Sequence, residues 1–282
     1  MLKSWIVLGA LFAIVIALGL FAWFKPPTPS SITYAVSTLK GADARMLRVQ
    51  RQGKTLATLE KHGSDWFLIE PVKAPADSFQ VLRLLAVLDA KSAKPWDATA
   101  LAKFELDTPQ AELLVNDQRF AFGAINTVTR EQYVLSNHQI YPLQMSFGAA
   151  IPTDANALLR RSVLAAGDAP SRFEFDTFSI VNDGKKWIAT PLASDLSQDD
   201  YNHWVAQWRE GSALRSEIVD KRQPLAAPLR EIFIILKDGA KITLSILQIE
   251  PELILRRADL GLQFVFTGDV GKQMLSIPAP RK

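Results

Sequence analysis

The stretch GSDWFLIEPVKAPADSFQ, residues 63–80, packs a turn, a strand, two breaks and a helix start into one short run. Gly63, Ser64 and Asp65, following His62, favour a tight turn, and Trp66 to Ile69 carries the aromatic and branched residues that suit a pleated strand. Pro71 and Pro75 end the pairing, because proline offers no backbone donor. Asp77 is placed to N-cap a helix, and Gln80 three residues on completes a capping-box pattern. Within that helix Phe79, Leu82 and Leu85, with Val81, Leu84 and Leu88, recur at helical spacing and predict one broad core-facing side.

Upstream, Met46 to Gln50 and Thr55 to Leu59 flank a Gln52-Gly53 turn and predict, together with the Trp66 strand, a small antiparallel meander. Downstream, Trp96 to Pro109 reads as an irregular connection with a short helix at 97–104. Strands resume at Ala111 to Val115 and Arg119 to Phe122, joined by Asn116-Asp117, and at Gln132 to Leu135 and Gln139 to Tyr141, joined by Asn137-His138. Short helices at 143–147 and 154–161 close the unit.

The same order returns in GKKWIATPLASDLSQDD, residues 184–200. Trp66 and Trp187 lie 121 residues apart, Pro71 and Pro191 120, and Asp77 and Ser197 120. Ser197 opens a second capped helix, after which further strand pairs and a closing segment follow. Order and spacing together predict an α+β protein of two tandem repeats, 41–166 and 167–282, each an antiparallel sheet with one covering helix. Equivalent tryptophans then pack on their own helices, Trp66 on Leu82 and Leu85, and Trp187 on Trp204 or Trp208.

Ahead of the repeats stands WIVLGALFAIVIALGLFAWF, residues 5–24, an uncharged apolar run between Lys3 and Lys25. Twenty helical residues at about 1.5 Å each span about 30 Å, the thickness of a bilayer's hydrocarbon core. Trp5 and Trp23 fall near the ends, where indoles prefer the headgroup region. The one small-x-small cleavage candidate, Ala17-Leu18-Gly19, is followed by more apolar sequence, which favours a retained anchor over a signal peptide. Residues 1–25 are thus expected to be a cytoplasmic tip and transmembrane helix, and 26–40, rich in Pro and Ser, a linker to an extracytoplasmic body.

The net charge of +3 over 282 residues comes from dispersed Lys and Arg, and the pairs Arg160-Arg161, Lys185-Lys186, Lys221-Arg222 and Arg256-Arg257 read as solvated faces. No nucleic-acid partner is expected. The absence of cysteine excludes disulfides, thiolate catalysis and cysteine-bound metals. His62 and His138 fall in turns, and His203 sits beside Trp204, none of them at metal-ligand spacing. Asp195, Asp199 and Asp200 lack the glycine and terminal glutamate of a calcium loop, so capping and dipole complementation account for them. Neither a nucleophile elbow, a Ser-x-x-Lys nor a phosphate loop is present.

Residues 63–93, with LAKFELDTPQAELLV (101–115) and QYVL (132–135), resemble the bacterial family known as domain of unknown function 4340 (DUF4340). The shared features are a Trp strand (Trp66), Pro75-Ala76-Asp77 before a helix, a lead-in ending at Pro109, with Glu105-Leu106 where the family usually has Gly-Leu, and the Tyr133-Val134 strand. The resemblance implies an envelope protein held by one transmembrane helix, some of whose relatives resemble partners of ABC-type transport systems. It brings no catalytic residues. The expectation is a non-catalytic, membrane-anchored scaffold or accessory subunit at the bacterial inner membrane, with no cofactor and an unidentified membrane-protein partner. The alternatives are an enzyme acting on cell-wall glycan, which would need two carboxylates brought together by the fold, and a module binding lipid or a small molecule.

Overall fold

The structure, a computed structural model, describes residues 11–20, 33–191, 196–220, 222 and 224–278. Helix α1 covers residues 11–20 and is exposed along its length. Strands β1 (Tyr34–Ala35), β2 (Met46–Arg51), β3 (Lys54–His62), β4 (Asp65–Glu70) and β5 (Ala74–Pro75) then lead to helix α2 (Ser78–Leu85). They are followed by β6 (Lys91–Ser92), β7 (Trp96–Asp97), β8 (Ala111–Val115), β9 (Gln118–Asn126), β10 (Glu131–Ser136), β11 (Gln139–Gln144) and helix α3 (Met145–Ala149). The remainder comprises β12 (Pro170–Glu174), β13 (Ser179–Asn182), β14 (Trp187–Thr190), α4 (Gln198–Glu210), β15 (Arg215–Ile218), β16 (Arg230–Leu236), β17 (Lys241–Gln248), β18 (Glu252–Arg257), β19 (Leu262–Thr267) and α5 (Gly268–Leu275).

These strands form a nine-stranded sheet, β5-β4-β3-β2-β8-β9-β10-β11-β7, an eight-stranded sheet, β14-β13-β12-β16-β17-β18-β19-β15, and the small pair β1-β6. All the pairings are antiparallel. The large sheets run through their strands in one order. A three-strand meander precedes a helix, a strand after the helix crosses to the far edge, and four consecutive strands fill the middle. Asn137 and His138 show how local the hairpin instructions are: both have positive φ, 47° and 62°, the geometry of a two-residue turn whose twist suits antiparallel strands.

The α+β expectation is overturned, because strand makes up 41% of the structure against 24% helix. Trp96 and Asp97, read from sequence as irregular, form the edge strand β7, Leu143, read as helical, lies in β11, and β15, to which no element was assigned, is the edge strand of the other sheet. Edge strands of two to four residues carry too little periodicity to be seen locally, since their partners lie far along the chain. The stretch 97–104 holds only a 3-10 turn at Leu101–Phe104. The transmembrane part of that expectation is corrected too: among the described residues no helix is long and apolar enough to cross a membrane. Trp5, Trp23, Lys3 and Lys25 lie outside the described residues. Tyr34 and Ala35, assigned above to the linker, pair with Ser92 and Lys91.

One apolar cluster runs through both sheets, from Leu47, Leu59 and Leu68 to Phe173, Ile234 and Phe264. A smaller one, Leu106, Ala121 and Ile140 with Trp96, Phe104 and Tyr133 against it, is separate from this core. There the chain passes close over β9. A Cβ on Gly123 would collide with the carbonyl oxygen of Phe104, so a residue without a side chain is required.

Candidate functional site

The landmark residues fall on equivalent elements. Trp66 lies in β4 opposite Lys61 of β3, and Trp187 begins β14 opposite Asn182 of β13. The Glu70-Pro71 and Thr190-Pro191 peptide bonds are both cis. Asp77 caps α2 by accepting from the amides of Phe79 and Gln80. Its box is one-sided, however, because the Gln80 side chain accepts from Arg83. Ser197 caps α4 through a full reciprocal box with Asp200.

The helix face differs from the sequence reading. Val81, Leu84 and Leu85 are buried, but Phe79 is 66% and Leu82 65% exposed, so Leu82 is no core partner of Trp66. In the second sheet Phe173 stands among the rings instead, with centroids 6.0 Å from Trp187, 4.9 Å from Trp204 and 5.8 Å from Trp208.

The residues examined for chemistry stay apart. His62 lies 3.6 Å from Glu60 and edge-on to Phe67, His138 occupies its turn, and His203 contacts Gln207. Asp200 belongs to the cap of α4, and Asp195 lies outside the described residues. Among the described residues no group of three or more His, Asp or Glu side chains could hold a metal ion.

What converges is the junction of the two sheets, built by residues 158–163. On one side the Asp77 amide donates to the Leu158 carbonyl, Ala76 bridges Leu159, and the Arg160 amide donates to the Pro75 carbonyl. On the other, the Ala213 amide donates to the Arg161 carbonyl, Ser216 Oγ donates to the Arg160 carbonyl, and Ser162 bridges Ser212. This segment therefore zips the β5 edge of one sheet to the β15 region of the other. Arg257 of β18 adds a clamp, donating to the Val163 carbonyl at 2.7 Å while its other nitrogens hold Asp259.

Beside this seam lies a cleft of about 530 Å³, within the range of small-molecule sites. Trp66, Phe67, Pro75 and Ala76 line it from the first sheet, Arg160, Ser162 and Ala165 to Gly167 from the seam, and Arg209 and Glu210 from the end of α4. Phe67 and Pro75 also wall a second hollow of about 440 Å³, where Leu68, Ile69, Ala74 and Leu260 are joined by Glu60, His62 and Lys73. Arg160 is the anomaly. Its Nε is buried without a hydrogen-bond partner, one of two such side-chain atoms among the described residues, the other being Trp208 Nε1. Burial first, and then repulsion from Arg257, lowers the pKa of its guanidinium, with Asp168 and Asp65 opposing the shift from a distance.

Sequence reasoning missed Arg160, which it placed on a solvated face with Arg161. The surrounding set offers two cations, Arg160 and Arg209, two carboxylates, Asp65 and Glu210, aromatic and aliphatic walls and two hydroxyls, Ser78 and Ser162.

A family model described as "Domain of unknown function (DUF4340)" matches residues 66–219, more than half of the chain. The match spans the seam and every cleft residue named here except Asp65. No curated protein and no solved structure was found to match the chain.

Proposed function

This chain belongs to the DUF4340 family, and from that premise we propose that it is a non-catalytic accessory or scaffold subunit of a bacterial envelope assembly, such as an ABC-type transport system. Its body binds a partner component through the cleft between the sheets. The observation that carries this reading is the cleft itself, where residues of both halves meet beside Arg160, whose buried Nε has no hydrogen-bond partner.

Purification of the tagged chain from detergent-solubilised membranes tests the proposal. A membrane protein should co-purify stably with the wild type and be lost from Ala166→Trp, which fills the cleft from an exposed position. Absence of any such partner would overturn the reading. Release of soluble fragments from purified cell wall, abolished by Glu210→Gln, would instead establish the glycan-acting enzyme.

A further inference from the structure

We infer that the outward face of helix α2, carried by Phe79, Leu82 and Arg83, is a docking surface for an amphipathic helix of a partner protein, which lays apolar side chains on Phe79 and Leu82 and a carboxylate against Arg83. This names the kind of partner and so rests on the reading of the chain as a subunit of an assembly.

The first argument is a comparison within the chain. Counted from their N-caps, Asp77 and Ser197, α2 and α4 turn the same positions inward: Val81 and Tyr201 stand four residues on, Leu84 and Trp204 seven, and Leu85 and Val205 eight, all of them buried. They turn the same positions outward too, at two, five and six residues from the cap. There α4 shows Asp199, Asn202 and His203 to solvent, the polar side of an ordinary surface helix. In the same places α2 shows Phe79, Leu82 and Arg83, with Phe79 66% and Leu82 65% exposed. One exposed apolar residue on a surface asks for no explanation. Two of them, three residues apart on one helix face, where the equivalent helix has Asp and Asn, mark a face that is covered in use.

Geometry and charge narrow the occupant. Phe79, Leu82 and Ala86, the last exposed at the C-cap of α2, form a ridge about 10 Å long, and such a ridge seats in the groove between the side-chain rows of another helix. Ser78, the first residue of α2, lines the cleft beside the seam, so the ridge continues from that cleft. Arg83, in the middle of the face, donates to Gln80 Oε1 at 3.3 Å and forms no ion pair among the described residues, which leaves its guanidinium open to a carboxylate. A second copy of the chain does not supply one, since a two-fold pairing centred on this face brings Arg83 against Arg83. An anionic lipid surface does not match either: residues 77–89 hold two carboxylates, Asp77 and Asp89, beside this one guanidinium, whereas a helix lying on a membrane carries clustered cations.

The test replaces Leu82 of the full chain by the photo-cross-linker p-benzoyl-phenylalanine, with Asn202 replaced likewise as the control, and irradiates the cells that make it. Mass spectrometry of the adduct reads the attached peptide. The proposal expects one discrete adduct from position 82 and none from 202, the attached peptide coming from another protein and carrying apolar residues at helical spacing with an acid among them. Adding Phe79→Asp or Arg83→Glu should lower its yield at least tenfold. Both positions face solvent, so both variants should keep the wild-type urea midpoint; should either unfold the chain, the contrast between 82 and 202 decides alone. No adduct at 82, equal adducts at 82 and 202, an adduct to lipid or to a second copy, or a yield indifferent to both substitutions would overturn the proposal. If no adduct forms while Ala166→Trp still loses the co-purifying membrane protein, the helix face falls and the accessory role stands.

Discussion

Helix α2 sits by β4 and buries Val81, Leu84 and Leu85 against the first sheet, whereas α4 sits by β14 and buries Tyr201, Trp204, Val205 and Trp208 against the second. The strand order is common to both sheets, yet one is filled mainly by aliphatic side chains and the other by stacked and edge-on rings around Phe173. The edges beside the two helices also differ. Beside β4 the main chain itself continues the sheet, as β5 and then as the Ala76 amide donating to the Trp66 carbonyl. Beside β14 one side chain stands in for a strand, with Gln198 Oε1 accepting from the Trp187 amide and Gln198 Nε2 donating to its carbonyl. Backbone pairing and hairpin geometry thus set the plan of each sheet, and many fillings satisfy it, provided volume and hydrogen bonding close.

The severest test of this comparison is Trp208→Ala, which empties a site 1% exposed and should cost about 3–5 kcal/mol, set beside Leu84→Ala at about 2–5 kcal/mol in the first sheet. Because one apolar cluster joins the sheets, each variant should shift a single urea transition. Two resolved transitions, with each variant moving only its own, would break the idea of a shared core. Trp208→Phe should cost clearly less than the alanine change, since it also removes an indole N–H that has no partner.

Gly123→Ala comes next, at about 1–3 kcal/mol from overpacking, with greater solvent exposure of Trp96 as the chain from Phe104 to Leu106 is pushed off β9. Unchanged stability and tryptophan emission would mean that this segment yields freely. Gln198→Ala should then cost about 1–2 kcal/mol for two lost hydrogen bonds at the β14 edge, with faster amide exchange at Trp187. Equal protection in the variant would show that the edge needs no such plug.

The smallest effect concerns pH. Hydrogen bonds from Arg215 hold the Glu252 carboxyl below its usual range. A depressed folded-state value means that the stabilisation is present above the unfolded pKa, about 4.3, and is lost as pH falls through the lowered one. Denaturation at pH 6 and pH 3 should therefore show a slight extra loss for the wild type relative to Glu252→Gln, shrinking in high salt. A loss of the same size in both would remove the ion pair from the account.

What could be read from sequence is whatever neighbours along the chain decide. Asp77 and Ser197 cap helices because capping involves residues two or three positions away, and Asn137-His138 turns because its own backbone must. The strands β7 and β15 were invisible because their identity comes from β11 and β19, dozens of residues distant. The face of α2 was misjudged for a related reason. Apolar residues surround so much of that helix that periodicity alone could not say which side the sheet would cover, and Phe79 and Leu82 were left outside. Arg160 shows the limit most clearly, since nothing in Arg160-Arg161 reveals that docking 158–163 between two sheets will bury the Nε of one arginine without a partner and expose its neighbour.

That docked segment has one more consequence. A connection tied by hydrogen bonds to both bodies it joins leaves no slack for a hinge, so the cleft beside it is already shaped before anything enters. An occupant then meets a socket rather than a jaw. Any such occupant would forgo the entropy loss of ordering a loop and associate without a slow closing step, and the free and occupied forms would superimpose at the seam.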